Sequence, residues 1–283
     1  MLRTPALLLL LGVLPCQPVP AQADEPKTAD DVIAKYVEAI GGREKLDSVE
    51  SMRWVAKITV MGGMEFPMTL ELKRPNKMRS EITLQGMTII TAFDGETGWM
   101  INPMMGKTDP EKLPPDQVKA MKEQGDSLRG PLVDYKEKGH KVELMGREEI
   151  EGTEVYKLKF IRKGAASGEF DIYYIDAEYF LPIKAKGKRQ VGGSEVESEV
   201  SLGDYKEVDG LIMPHSFTST SSMGGGSLTI EKIELKVKLG DDRFTMPKVE
   251  KEKPAADKKE KAEAEKKEQP ATKEKEQPVK DEG

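Results

Sequence analysis

Met52-Arg53-Trp54-Val55-Ala56-Lys57-Ile58-Thr59-Val60, then Met61-Gly62-Gly63-Met64, then Phe66-Pro67-Met68-Thr69-Leu70-Glu71-Leu72: these twenty or so residues read as strand, turn and strand. Met52, Trp54, Ala56, Ile58 and Val60 fall on one side of a chain with period two. Arg53, Val55, Lys57 and Thr59 fall on the other, because successive side chains of a strand point to opposite faces. Gly62-Gly63 supplies the tight hairpin turn, and Phe66, Met68, Leu70 and Leu72 resume the apolar side.

The pattern continues outward toward the C-terminus. Arg74-Pro75-Asn76 turns the chain, and Met78, Ile82 and Leu84 form a third strand ending at Gln85-Gly86. Met87 to Phe93 makes a fourth, Asp94 to Gly98 a turn, and Trp99 to Ile101 a short fifth. Strands that follow one another through tight turns pair as an antiparallel meander. Asn102-Pro103 breaks it. Residues 103–139 hold Pro110, Pro114-Pro115, a helix over 116–124 with Val118 and Met121 on one side, and Gly130-Pro131. A connection this long is a functional flap or a surface excursion. Beyond Lys141, seven further segments alternate, separated by Gly- and Asp-rich turns. The last of them changes phase: Leu228 and Ile230 are even, whereas Ile233, Leu235 and Val237 are odd. A β-bulge near Glu231-Lys232 would restore one apolar face.

Toward the N-terminus, Val32, Ile33, Tyr36, Val37 and Ile40 make the apolar stripe of a helix over 28–40. Thr28 caps it, Asp30 and Asp31 favour its positive end, and Gly41-Gly42 stops it. Ahead of it, Arg3, the apolar run Leu7–Leu14 and Ala21-Gln22-Ala23 have the order of a secretory signal peptide over 1–23. The run is too short to span a bilayer, and Pro15 argues against lipid attachment at Cys16. Cleavage would remove the one cysteine and leave a β-domain over 24–249 with the 103–139 insertion. Residues 250–283, rich in Lys and Glu, offer no apolar face and read as a disordered tail. The expected product is a periplasmic chain with no transmembrane segment after cleavage. Its fold class is mainly β with α: one large curved antiparallel sheet, its concave apolar face covered by helices.

Composition excludes more than it selects. With 2 His and a single Cys within the leader, most hydrolytic, redox and zinc chemistries lack their usual parts. A formal net charge of -6 argues against nucleic acid as a partner. No Gly-x-Ser-x-Gly elbow, phosphate loop or calcium loop is present. His140 sits in a Gly-His-Lys turn and reads as exposed; His215, at a strand start, reads as structural. No enzyme activity, metal or cofactor is expected. The chain has 15 Met against 7 Phe, and Met suits either irregular cores or surfaces that accept varied apolar ligands.

Specific words along the chain resemble the LolA-like outer-membrane lipoprotein-sorting proteins. They are the helix ending Ala39-Ile40-Gly41-Gly42, then Phe93-Asp94-Gly95-Glu96-Thr97-Gly98-Trp99, Tyr174-Ile175-Asp176, Leu181-Pro182-Ile183, and Tyr205-Lys206-Glu207-Val208-Asp209-Gly210 with Met213-Pro214. The resemblance implies an unclosed β-barrel with a helical lid over a hydrophobic cavity, carrying acylated cargo across the periplasm. The 103–139 insertion and the Lys/Glu tail depart from that pattern. The resulting expectation is a carrier for lipoproteins or lipids, working between inner- and outer-membrane transfer partners. The residues expected to line the cavity are Trp54, Ile58, Phe66, Met68, Leu70, Ile82, Met87, Ile89, Trp99, Met104 and Met105. The competing expectation is an envelope sensor or protein-interaction module in which the same sheet packs a solid core.

Overall fold

The computed structural model describes residues 25–248 apart from 61, 125–127, 192–193 and 223. The leader and tail expected at 1–23 and 250–283 lie outside the described residues. Helix α1 spans Ala29–Ala39, and its start is a complete capping box: the Thr28 side chain accepts from the Asp31 N–H and the Asp31 carboxylate accepts from the Thr28 N–H. A one-turn helix, α2, follows at Arg43–Asp47.

Six strands come next. They are β1 (Ser51–Val60), β2 (Glu65–Lys73), β3 (Lys77–Leu84), β4 (Met87–Phe93), β5 (Gly98–Asn102) and β6 (Lys107–Lys112). After α3 (Pro115–Gln124) come seven more: β7 (Lys141–Ile150), β8 (Thr153–Ile161), β9 (Phe170–Asp176), β10 (Pro182–Val191), β11 (Ser194–Val208), β12 (Leu211–Ser221) and β13 (Gly224–Leu235). All belong to a single sheet in the order β6-β5-β4-β3-β2-β1-β13-β12-β11-β10-β9-β8-β7. Each described pairing is antiparallel. The sheet is therefore two meanders joined where β1 meets β13, and it does not close. The predicted bulge is real: the β1–β13 register shifts between Val55 and Ala56, which face Lys232 and Ile230, so Glu231 is the extra residue. Strand β6 was not expected from the sequence. Pro110 and its run of polar residues hide it, and both are tolerated because β6 is an edge.

The two edge strands, β6 and β7, are neighbours in the chain. Residues 113–140 thus cross the gap that the open sheet leaves. Helix α3 lies against one side of it, since a β-carbon on Gly98 would sit 2.9 Å from Leu113 and 3.2 Å from Val118, and Asn76 donates to the Met121 carbonyl. Ala120 of the same helix shares a pocket with His140, Arg162 and Arg189 near the β7 edge. The second half of the crossing is core rather than flap. Leu132 and Tyr135 pack with Val32 and Ile33 of α1 on Tyr156, Leu158, Phe160 and Ile175. Val133 packs with Ile40, Leu46, Met52, Leu211 and Ile230. Each such buried aliphatic contributes about 1.5–3 kcal/mol relative to an exposed one.

The end of α1 is fixed by close backbone approach. The Ile212 N–H donates to the Ile40 carbonyl. Gly41 has φ +114°, and a β-carbon there would stand 2.4 Å from the Gly210 carbonyl oxygen. Gly41→Ala should therefore cost about 2 kcal/mol or more, through both strain and collision. Urea denaturation would check this, with the midpoint falling and the slope unchanged.

Candidate functional site: the inner face of the sheet

Cross-strand registers define one face that runs across the whole sheet. Ile58 faces Phe66 and Leu228, and Leu228 faces Phe217, which faces Leu202. Ala56 faces Met68, then Ile82 and Ile89. Met52 faces Leu72, then Met78, Phe93 and Gly98. On the other side Ala185, Tyr173, Leu158 and Leu144 continue it beneath α1. This is the inner face, and it is apolar over most of its extent.

Its cover is uneven. At the lower end, that of the 74–76, 94–97 and 209–210 turns, α1, α2 and residues 128–135 close it. Met52, Ala56, Leu72 and Phe93 are all buried there. Toward the upper end, that of the 62–64 and 85–86 turns, Ile58, Phe66, Met68, Leu70, Ile82, Leu84, Met87 and Ile89 are only half-buried, as are Phe217 and Leu228. Trp54 stands at the boundary, its ring stacked on Phe217 at 6.0 Å.

Eight of the residues expected at the site thus share one face: Trp54, Ile58, Phe66, Met68, Leu70, Ile82, Met87 and Ile89. Three do not. Trp99 faces Ala92, which faces Arg79, which faces Glu71, and that ladder belongs to the outer face. Its ring is 1% exposed, lies under the Arg79 guanidinium, and its indole N–H donates to the Phe244 carbonyl at 2.7 Å. Period two across the Thr97-Gly98 turn could not say which side Trp99 takes. The segment that buries it lies 145 positions further on. Met104 and Met105 sit on a 3-10 turn, Pro103–Met105, beyond the end of β5, and are 45% and 69% exposed. They belong to the upper rim, not to the lining.

A second space, a partly open pocket, lies at the lower end, which the sequence did not point to. It measures about 130 Å³ and is bounded by Tyr36 of α1 and its C-cap Ile40, Leu46 of α2, Met52, Leu128 to Gly130, and the β11–β12 hairpin through Leu202, Tyr205, Leu211 and Met213. The Tyr205 hydroxyl donates to the Pro182 carbonyl. Burial pushes the Tyr36 phenol up to about 12 and raises those of Tyr205 and Tyr173 as well. Two arginines and two aspartates tie the crossing segment down beside this space. Arg129 bridges Asp47 at 2.8 Å and Asp134 at 2.7 Å, and Arg43 pairs with the same two carboxylates.

The histidines are not paired with chemistry. His215 is buried, with Nδ1 3.0 Å from the Met213 carbonyl. His140 is half-buried rather than exposed: its Nδ1 accepts from the Lys163 N–H, and its ring meets Phe160 edge-on. Burial first, then Lys138, Arg162 and Lys163, lower its pKa. Among the described residues, no group of three or more His, Cys, Asp or Glu could hold a metal ion. Nor is any helix among them long and apolar enough to cross a membrane.

The fold is LolA-like. A domain from Vibrio parahaemolyticus named for outer membrane lipoprotein sorting superposes with a TM-score of 0.52 at 12% identity, over 76% of this chain and 97% of its own. The LolA superfamily protein NE2245 from Nitrosomonas europaea gives 0.52 at 16%, over 77% and 97%. A DUF1329 family protein from Desulfovibrio piger gives 0.53 at 12%, over 76% and 96%. No family model matches the sequence, and no curated protein does.

The strap that buries Trp99 predicts an acid response. Asp241 is held down to about 2, from 3.8, by hydrogen bonds from Lys73 first and then Lys77. A depressed carboxylate contributes stability that is present above its unfolded pKa and is lost as the pH falls through the folded one. In a Trp54→Phe background, the Trp99 emission should therefore shift to the red between pH 3.8 and about 2. Adding Asp241→Asn should remove that step while leaving emission at neutral pH close to the parent's.

Proposed function

We propose that this chain is a periplasmic carrier or binding protein for lipoproteins or lipids. It holds acyl chains on the upper inner face during transfer toward the outer membrane. One observation carries the reading: an apolar face that runs across the sheet is covered at one end and left half-buried at the other. A monomeric protein rarely leaves a contiguous apolar surface of this kind without a partner for it. Each methylene removed from water there contributes about 0.8 kcal/mol. An acyl chain laid across Ile58, Phe66, Met68, Ile82 and Met87 would meet side chains of adaptable shape, two of them thioethers.

The reading assigns binding, not catalysis, and needs no cofactor or metal. Hand-over between an inner-membrane donor and an outer-membrane acceptor requires only a difference of affinity. The name of the similar Vibrio parahaemolyticus domain supports lipoprotein cargo as one form of ligand. Residues 1–23, read as a cleaved leader, supply the route to the periplasm.

The test is mass spectrometry, native and denaturing, on protein purified from its own periplasm. Bound acyl peptide or phospholipid is the expected result. Trp54→Asp or Met68→Asp should lower lipid binding at least tenfold, since a carboxylate on that face would have to be desolvated against the acyl chain. Wild-type protein that arrives empty and rejects added lipid would instead make the chain an envelope sensor or interaction module.

A further inference from the structure

We propose that the partly open pocket between the end of α1, α2 and the β11–β12 hairpin is a separate binding site for a compact, neutral carbonyl compound. It is independent of acyl binding on the open face.

Its size sets the first half of the ligand. An apolar protein cavity of about 150 Å³ stays dry and takes up benzene, so about 130 Å³ accepts roughly one six-membered ring or a short branched alkyl group. A long acyl chain does not fit. The walls are Ile40, Leu46, Met52, Leu202, Leu211 and Met213, which select for apolar surface.

Its polar groups set the second half. The Tyr205 hydroxyl is already given to the Pro182 carbonyl, and the Arg129 guanidinium to Asp47 and Asp134. Among the described residues the Tyr36 hydroxyl has no hydrogen-bond partner, although the residue lines the space. Its oxygen lies beside Gly130, 3.8 Å from where a β-carbon on that glycine would be. A phenol raised to about 12 stays protonated at every physiological pH and can donate one hydrogen bond. The Tyr36 hydroxyl is therefore a donor that the site can offer, while the Arg129 charge is matched by the two carboxylates. A ketone or ester oxygen satisfies the donor. An ionised carboxylate or an ammonium would be desolvated without a partner.

The experiment uses amide NMR on the isotope-labelled protein, titrated with cyclohexanone and with methylenecyclohexane, its near-isostere without the acceptor. Cyclohexanone should shift the amides of Tyr36, Ile40, Leu211 and Ile212 and bind roughly fivefold tighter than the hydrocarbon. Tyr36→Phe, which removes a single oxygen, should make the two affinities equal. Met213→Trp should fill the space and abolish both. Met68→Asp should leave both unchanged, which separates this site from the lipid-binding face. The proposal is overturned by shifts confined to Ile58, Phe66 and Ile82, by a preference that survives Tyr36→Phe, by unchanged binding in a folded Met213→Trp, or by no binding of cyclohexanone at all.

Discussion

The pairing of β1 with β13 is the constraint on which the rest of the structure depends. All other pairings join strands that are adjacent in the chain. This one brings residues 51–60 onto 224–235 and turns two meanders into one sheet. Closing so long a loop costs little more than closing a short one, because the entropy grows only with the logarithm of length. The cost must still be met before the contacts form, which makes this pairing the natural late step in folding. The Glu231 bulge sits inside it. Without the extra residue, Ile233 and Leu235 would face away from Trp54 and Met52, and one apolar face would end at the seam.

Once β1 and β13 occupy the centre, the edges can only be β6 and β7, and the chain must pass from one to the other. Residues 113–140 are long for that reason. They carry apolar groups at Leu113, Val118, Leu132, Val133 and Tyr135, because a crossing laid over an apolar face has to bury its own underside. The crossing and the two N-terminal helices leave the upper inner face of β1–β4 half-buried, although Leu132 and Tyr135 cover β8 as far as Phe160. The asymmetry between a packed lower end and a half-buried upper end thus follows from topology and from the length of chain available to cover it.

Much of this was legible in the sequence and some was not, for identifiable physical reasons. The β1–β2 hairpin, the α1 stripe with its Thr28 cap and the β13 bulge are local patterns of period or turn chemistry. Each was readable from about twenty residues or fewer. Eight of the eleven residues expected on the site share one face, because period two carries facing from strand to strand through short turns. Trp99 broke the rule. Its strand is buried on both sides, beneath Leu113 and Val118 on one and Phe244 on the other, so apolarity no longer marks the inner side. Met104 and Met105 were apolar letters without a strand beneath them. The lower pocket was invisible because its walls come from α1, α2, the crossing and the β11–β12 hairpin, elements whose meeting is purely tertiary.

The ring formed by Arg43, Asp47, Arg129 and Asp134 shows how the crossing is held in register. The Asp134 side chain is only 5% exposed, and of its two arginines Arg129 is partly buried while Arg43 is exposed. Ion pairs of this kind return little net stability, because desolvation of the charges offsets most of their attraction. What they do supply is a large penalty for misplacement. Sliding the crossing by one residue would leave Asp134 buried without a cation and would carry Leu132 and Val133 away from the clusters they fill. Arg74 adds to the same junction by donating to the carbonyls of Leu46 and Asp47, which ties the β2–β3 turn to α2. Apolar burial therefore supplies the stability of the lower end, while the charges fix which of several apolar registers it adopts. That division allows a pocket to persist beside the ring: the segment bearing Leu128 and Gly130 is held by its charges and is not free to collapse inward and fill it.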